Sequence, residues 1–183
     1  EARAKEVKAI ADSIIALALK KIDQEELPNL RVLRMDANII EKVFHNEVDK
    51  IFLNFSDPWS KKGYAKRRLT HERYLSVYFN LLKDGGKLRF KTDNDDLFLS
   101  SKRYFTECGF ELTFVTEDLH NSGFTDNIET EHEKMFSEQG IPIKFLIAKK
   151  LTVSPSKKEV GQPENDASCS ENKADQPEKD AEN

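Results

Sequence analysis

Apolar residues recur along the first 22 positions at Val7, Ile10, Ala11, Ile14, Ile15, Leu17, Ala18, Leu19 and Ile22. That helical spacing predicts one helix with a broad buried stripe. "LPNL" interrupts it, "RVLRMDA" at 31–37 reads as a strand, and a short helix follows over 38–44. Next comes "DKIFLNF" (49–55), whose nearly unbroken apolar character predicts a strand buried on both faces, as in parallel sheets. Thr70 is placed to cap a helix reaching Leu82, with Tyr74, Leu75, Val77, Tyr78, Leu81 and Leu82 inward and "KDGG" as its glycine stop. Beyond it the chain alternates: a strand "KLRFKT" (87–92), a helix "DLFLSSKRYFTECG" closing at Gly109, and a strand "FELTFVTE" (110–117). A helix "TEHEKMFSEQG" (130–140) and a final strand "IPIKFLIAKK" complete the pattern.

Strands alternating with helices predict an α/β sandwich around a mostly parallel sheet, and no internal repeat appears. The last two strands, separated by a long loop and a helix, are placed to pair antiparallel at one edge. Ligands of such sheets bind outside the carboxyl ends of the strands. That rule selects Asp36, Asp57 and Thr92-Asp93-Asn94, each directly after a strand.

Charge changes the picture in one respect. The net charge of −4 comes from the segment after Lys150, which holds four Lys against eight Asp or Glu; subtracting these from 29 and 33 leaves 25 and 25 in residues 1–150. Residues 1–150 are therefore read as the folded α/β domain. Residues 151–183 are read as a disordered acidic tail too poor in large apolar side chains to offset its ordering entropy. A neutral body excludes indiscriminate coating of nucleic acid but leaves room for a local basic patch. No apolar run approaches membrane-spanning length, and the charged, helically spaced opening "EARAKEVK" is read as helix rather than leader. Two cysteines, Cys108 and Cys169, are too few for a disulfide framework, so the expected setting is reducing and cytoplasmic.

The stretch "IFLNFSDPWSKKGYAKRRLT" (51–70) carries the densest chemistry. Asp57 before Pro58 suits a turn former, and Trp59, the one tryptophan, suits either core or a stacking wall. Lys61, Lys62, Lys66, Arg67, Arg68 and Arg73 crowd the start of a helix, where the dipole disfavours cations, and they adjoin the carboxylates of the rim. An anionic polymer held there would lie beside the site, and no glycine-rich cradle accompanies the run to suggest a small phosphate. In "DLHNSGFTDNIETEHEKM" (118–135), Asp118, His120, Glu131, His132 and Glu133 invite a metal reading, but neither HExxH nor a carboxylate-rich glycine loop is present, so no metal is expected. Thr130 with Glu133 forms a capping box. His45 and His71 read as surface or loop residues without a role, and Cys108 as core rather than nucleophile.

Together, "NFSDPWSKKGYAKRRLT", "GGKLRFKTDN", "DLH" and "NIETEHEKMFSEQGIPI" resemble the bacterial tRNA (guanine-N7-)-methyltransferase family from about Leu27 to Lys150. The resemblance implies a Rossmann-like class I methyltransferase sheet. It implies transfer of a methyl group from S-adenosyl-L-methionine to N7 of a variable-loop guanine in tRNA, with the protein a monomer or homodimer. It places catalysis at Asp57, a cofactor contact at Asp36, substrate contacts at Lys61, Asp93, Thr130, Glu131, His132 and Glu133, and RNA contacts at Gly63, Tyr64, Ala65, Lys66, Arg67 and Arg68. Guanine N7 is already a nucleophilic lone pair, so positioning can supply most of the catalysis. Asp57, helped by Asp93 and Glu133, would accept from the donor edge of the base while Lys61, Arg67 and Arg68 hold phosphate. The sequence departs from the family at Ser60, Gly63 and His132. It also shows no glycine-rich strand-turn before residue 31, so the N-terminal part of the family pattern is expected to be lacking. Two other readings stand beside this one: a truncated or degenerate relative that grips tRNA without turnover, and a methyltransferase-like protein serving another RNA or acting as a subunit.

Overall fold

The computed structural model describes the backbone of residues 2–151 and the side chains of residues 12–151 apart from Lys62. The elements are α1 (Ala2–Gln24), a 3-10 turn (Ala37–Lys42), β1 (Val48–Asn54), a second 3-10 turn (Lys62–Arg67), α2 (Glu72–Leu81), β2 (Leu82–Thr92), α3 (Asp95–Glu107), β3 (Phe110–Thr116), α4 (Glu131–Glu138) and β4 (Lys144–Lys150). The four strands form one sheet in the order β1-β2-β4-β3. β1 and β2 are parallel, and β4 is antiparallel to both of its neighbours, so β1, β2 and β3 run the same way. The antiparallel pairing expected of the last two strands holds, with β4 inserted one place in from the edge.

Alternation along the strands divides the core in two. Leu53, Leu88, Phe90, Leu146 and Ala148 point to one face and pack with Leu75, Leu97, Phe98 and Phe105 of α2 and α3. Phe145 and Ile147 point to the other, where Leu119, Ile143, Phe114, Phe124 and Phe136 cover them. The loop between β3 and β4 is thus not slack chain: its apolar side chains roof the second face.

Five expectations are corrected. β1 is not buried on both faces: along it only Leu53 is buried, and Phe52 is 48% exposed. Residues 31–37 form no strand. Val32, Leu33 and Met35 are apolar enough for a strand, but a strand needs a neighbour to take its N–H and C=O groups, and none of the four strands pairs with this segment; Leu33 is left 58% exposed. The stripe of α1 is also uncovered at Ile14, Leu17 and Leu19. Two ion pairs, Asp12 with Arg34 and Lys21 with Glu131, join α1 to the rest of the chain; Val7, Ile10 and Ala11 of the expected stripe lie outside the described side chains. Finally, α2 is capped by His71, whose Nδ1 accepts from the Arg73 N–H at 3.3 Å, while Thr70 is buried and accepts from Ser101 Oγ at 2.6 Å. "KDGG" does not stop α2; the helix ends at Leu82, where β2 begins. The ladder then jumps from Val48–Leu82 to Lys50–Lys87, so Lys83–Gly86 bulge outward. Gly85 takes φ +73°, and a Cβ on Gly86 would lie 2.8 Å from the Lys83 carbonyl oxygen. The expectations for residues 152–183, including Cys169, lie outside the described residues.

Candidate functional site

The carboxyl ends of β1, β2 and β3 and the start of β4 share one rim of the sheet. β1 stays tied to β2 one residue past its end, where the Phe55 N–H donates to the Lys91 carbonyl at 3.0 Å. The chain then reverses through Phe55–Trp59, and both ends of that turn are strained: Phe55 has φ +51° and Trp59 φ +42°. Left-handed backbone on bulky residues costs of order 1–3 kcal/mol each and persists where surrounding contacts enforce it. The Trp59 N–H donates to Asp57 Oδ1 at 2.9 Å, so the turn-forming role of this aspartate is real, and the carboxylate remains exposed. Ser56 Oγ is buried without a hydrogen-bond partner among the described residues.

Arg68 fastens this turn to the body. Its Nε donates to the Pro58 carbonyl at 2.8 Å and one terminal nitrogen to Ser100 Oγ at 2.9 Å. The other terminal nitrogen reaches the Trp59 carbonyl at 3.5 Å. Such a guanidinium is already spent, which separates it from the exposed Lys61, Lys66 and Arg67 that border the rim. Arg67 lies over two rings, 5.0 Å from the centre of Trp59 and 4.6 Å from that of Tyr64. Gly63 is exposed with open space about it, and Ala65 is half-buried.

Beside this turn lies a buried ion pair. Lys91 Nζ donates to Glu133 Oε2 at 2.6 Å, to Asn127 Oδ1 at 2.6 Å and to the Ile128 carbonyl at 2.8 Å. Glu133 Oε1 accepts from Asn127 Nδ2 at 2.7 Å and meets His120 Nε2 at 3.0 Å. Side-chain exposure is 6% for Lys91 and 0% for Glu133. Burial pushes the Glu133 carboxyl up, but the bonds from Lys91, Asn127 and His120 outweigh it and hold the group below its ordinary range. The expectation that Glu133 accepts from a substrate base is therefore corrected: both oxygens are engaged and sealed from solvent. Its work is to fix the start of α4 against β2. Thr130 Oγ1 accepts from the Glu133 N–H at 3.2 Å, so half of the capping box forms. Above the pair a cavity of about 220 Å³ opens between Phe52, Arg89, Ile128 and Phe145.

The remaining predicted positions are spread around this pair. Asp93 is half-buried at the end of β2, and its carbonyl accepts from Lys144 Nζ at 2.9 Å. His132 is exposed and sits 5.7 Å from Phe55, ring centre to ring centre, which brings α4 up to the Asp57 turn. Glu131 pairs with Lys21 at 2.8 Å across an exposed contact. Asp36 caps the first 3-10 turn, its Oδ1 accepting from the Asn38 N–H at 2.8 Å. Asp57, Asp93 and α4 thus share one rim, linked through Lys91, whose carbonyl holds Phe55 and whose ammonium holds Glu133. Lys91 and Asn127 were not singled out by sequence reasoning, and His71, read as a bystander, is a buried cap against the Tyr104 ring at 5.1 Å. A lysine near the end of an otherwise buried strand was the signal available for Lys91.

Comparison with known proteins identifies the family. The model of a family described as "Putative methyltransferase" matches residues 9–146. A tRNA (guanine-N(7)-)-methyltransferase of Clostridium perfringens is 46% identical over 150 residues, covering 78% of this chain and 68% of that protein. One of Clostridium acetobutylicum is 47% identical over 140 residues, covering 76% and 66%. The chain belongs to this methyltransferase family. It spans about two thirds of the length of the curated relatives it matches. Among solved structures, a SAM-dependent O-methyltransferase of Thermotoga maritima aligns with TM-score 0.48 and 16% identity, over 79% of this chain and 48% of that one.

The methyl donor expected from the sequence resemblance is S-adenosyl-L-methionine. Among the described residues Asp36 suits a hydroxyl-bearing part of such a molecule, being exposed at the amino end of a turn. No glycine precedes Gly63, so these residues offer no glycine turn on which the methionine end could lie. What they assemble is a rim of carboxylates and cations around a strained turn.

Proposed function

We propose that the protein methylates N7 of a guanine in tRNA, with S-adenosyl-L-methionine supplying an electrophilic sulfonium methyl. The observation that carries this reading is the Phe55–Trp59 turn, which presents an exposed Asp57 on the strand-end rim beside Lys61, Lys66 and Arg67. Asp57 and Asp93 accept from the N1–H and N2–H₂ edge of the guanine, fixing its plane. Lys61, Lys66 and Arg67 hold backbone phosphate, and Arg68 keeps the turn in place. N7 carries its own lone pair and needs no general base, so in-line holding is the protein's main contribution. The relatives named tRNA (guanine-N(7)-)-methyltransferase support the substrate and the reaction. The test is incubation with tRNA and methyl-labelled S-adenosyl-L-methionine, followed by nucleoside digestion and mass spectrometry. Label in 7-methylguanosine is expected; label in any other nucleoside, or tRNA binding without label, overturns the assignment.

A further inference from the structure

Trp59 is the chain's one tryptophan and is half-buried, yet it belongs to neither core cluster. Its ring faces Tyr64 at 6.0 Å with the planes at 67°, and the Arg67 guanidinium lies over both rings. The platform beneath is rigid: Asp57 holds the Trp59 N–H, and Arg68 holds the Pro58 and Trp59 carbonyls. Arg67 itself is exposed and, among the described residues, makes no ion pair, so the rings hold it alone. A fixed aromatic surface covered by a loosely held planar cation resembles an occupied stacking site.

We propose that Trp59 and Tyr64 form a nucleobase-stacking site that Arg67 caps in the free protein, and that an unpaired base of tRNA displaces the guanidinium, which then moves to an RNA phosphate. This rests on the tRNA reading above. The exchange is favourable at both ends. A cation over an exposed ring is worth roughly 2- to 5-fold in affinity, whereas a base stacked on an aromatic side chain is worth roughly 5- to 150-fold. The released Arg67 gains a charge-assisted bond to phosphate. Arg68 cannot make this move, because its three bonds hold the turn.

Trp59 is its own reporter. Stacked bases quench indole emission, so guanosine, tRNA and inorganic polyphosphate are titrated separately against the protein and against Arg67→Ala and Arg67→Lys, with circular dichroism to check folding. Guanosine and tRNA should quench, and polyphosphate should not. Arg67→Ala should bind guanosine 2- to 5-fold more tightly, since the cap is gone, but tRNA more weakly and with a shallower salt dependence. Arg67→Lys should restore the salt dependence for tRNA. Equal weakening for guanosine and tRNA in Arg67→Ala, or absence of guanosine quenching, overturns the stacking site. Guanosine quenching with no binding of fluorescently labelled tRNA would instead sink the tRNA reading and leave the stacking site standing.

Discussion

Replacing Lys91 by Met isolates the buried pair on which the rim depends. Met nearly conserves the volume of the stem, so little cavity forms. The loss is electrostatic: Glu133, 0% exposed, keeps its charge without the ammonium 2.6 Å away, and the Asn127 and Ile128 oxygens lose their donor. Removing one member of a buried ion pair costs about 3–5 kcal/mol. Asn127 and His120 still donate to Glu133, which places the expected cost near the lower end, about 3 kcal/mol. For a domain of this size that is a fall in Tm of roughly 6–12 °C. The assay is thermal unfolding followed by circular dichroism at neutral pH, for Lys91→Met, Glu133→Gln and the double variant. The double variant, which buries no lone charge, should be more stable than Lys91→Met. The deficit of Lys91→Met should also shrink in acid, where Glu133 can neutralise by protonation. A single-variant loss below about 1 kcal/mol, or strict additivity in the double variant, would refute the claim that this pair anchors α4 to β2.

Asp57→Asn should lower methyl transfer about 100-fold or more through lost positioning while leaving tRNA affinity within a few fold in a filter-binding assay; joint loss of both would mark Asp57 as structural. Charge reversal at Lys66 and Arg67 should flatten the slope of log affinity against log salt by about 0.7–0.9 for each phosphate no longer neutralised, measured by anisotropy of labelled tRNA. Burial holds the His71 imidazole below its ordinary value of 6.5, so the unfolded chain takes up a proton there that the folded one refuses. Stability should therefore decline as pH drops through 6.5 toward the folded value, and His71→Asn, which keeps a capping acceptor, should flatten that decline in urea titrations. Glu133 has the opposite linkage. Held below its ordinary 4.5, it contributes stability above that pH which is lost as pH falls through its folded value, and Glu133→Gln should remove that acid-side dependence.

Local pattern reached much of this molecule, and its failures have physical causes. β1, α3, β3 and β4 were legible because their apolar periods are long and their stops, such as Gly109 with φ +85°, are local. The rule that ligands bind at strand ends found Asp57 and Asp93, and it selected Asp36 only through a strand that does not form. Residues 31–37 misled because a short apolar run records only a local preference, whereas a strand is a relation to a partner. "KDGG" misled because glycine ends helices and also makes bulges, and only the register with β1 decides between them. Lys91 and Glu133 lie 42 residues apart, so nothing local marked either as half of a buried pair. Glu133 consequently read as an open acceptor, although its neighbours consume it. The strain at Phe55 and Trp59 was equally invisible, since neither residue favours a left-handed backbone.

The central claim is that tRNA meets the strand-end rim around the Phe55–Trp59 turn. It is tested most directly by photo-cross-linking tRNA that carries a thio-substituted guanine to the unmodified protein and mapping the adducts by mass spectrometry. Adducts within residues 55–68 and at Asp93 or Asn94 are predicted. Adducts confined to the opposite end of the sheet, around Lys83–Gly86 and Glu107–Gly109, would contradict it.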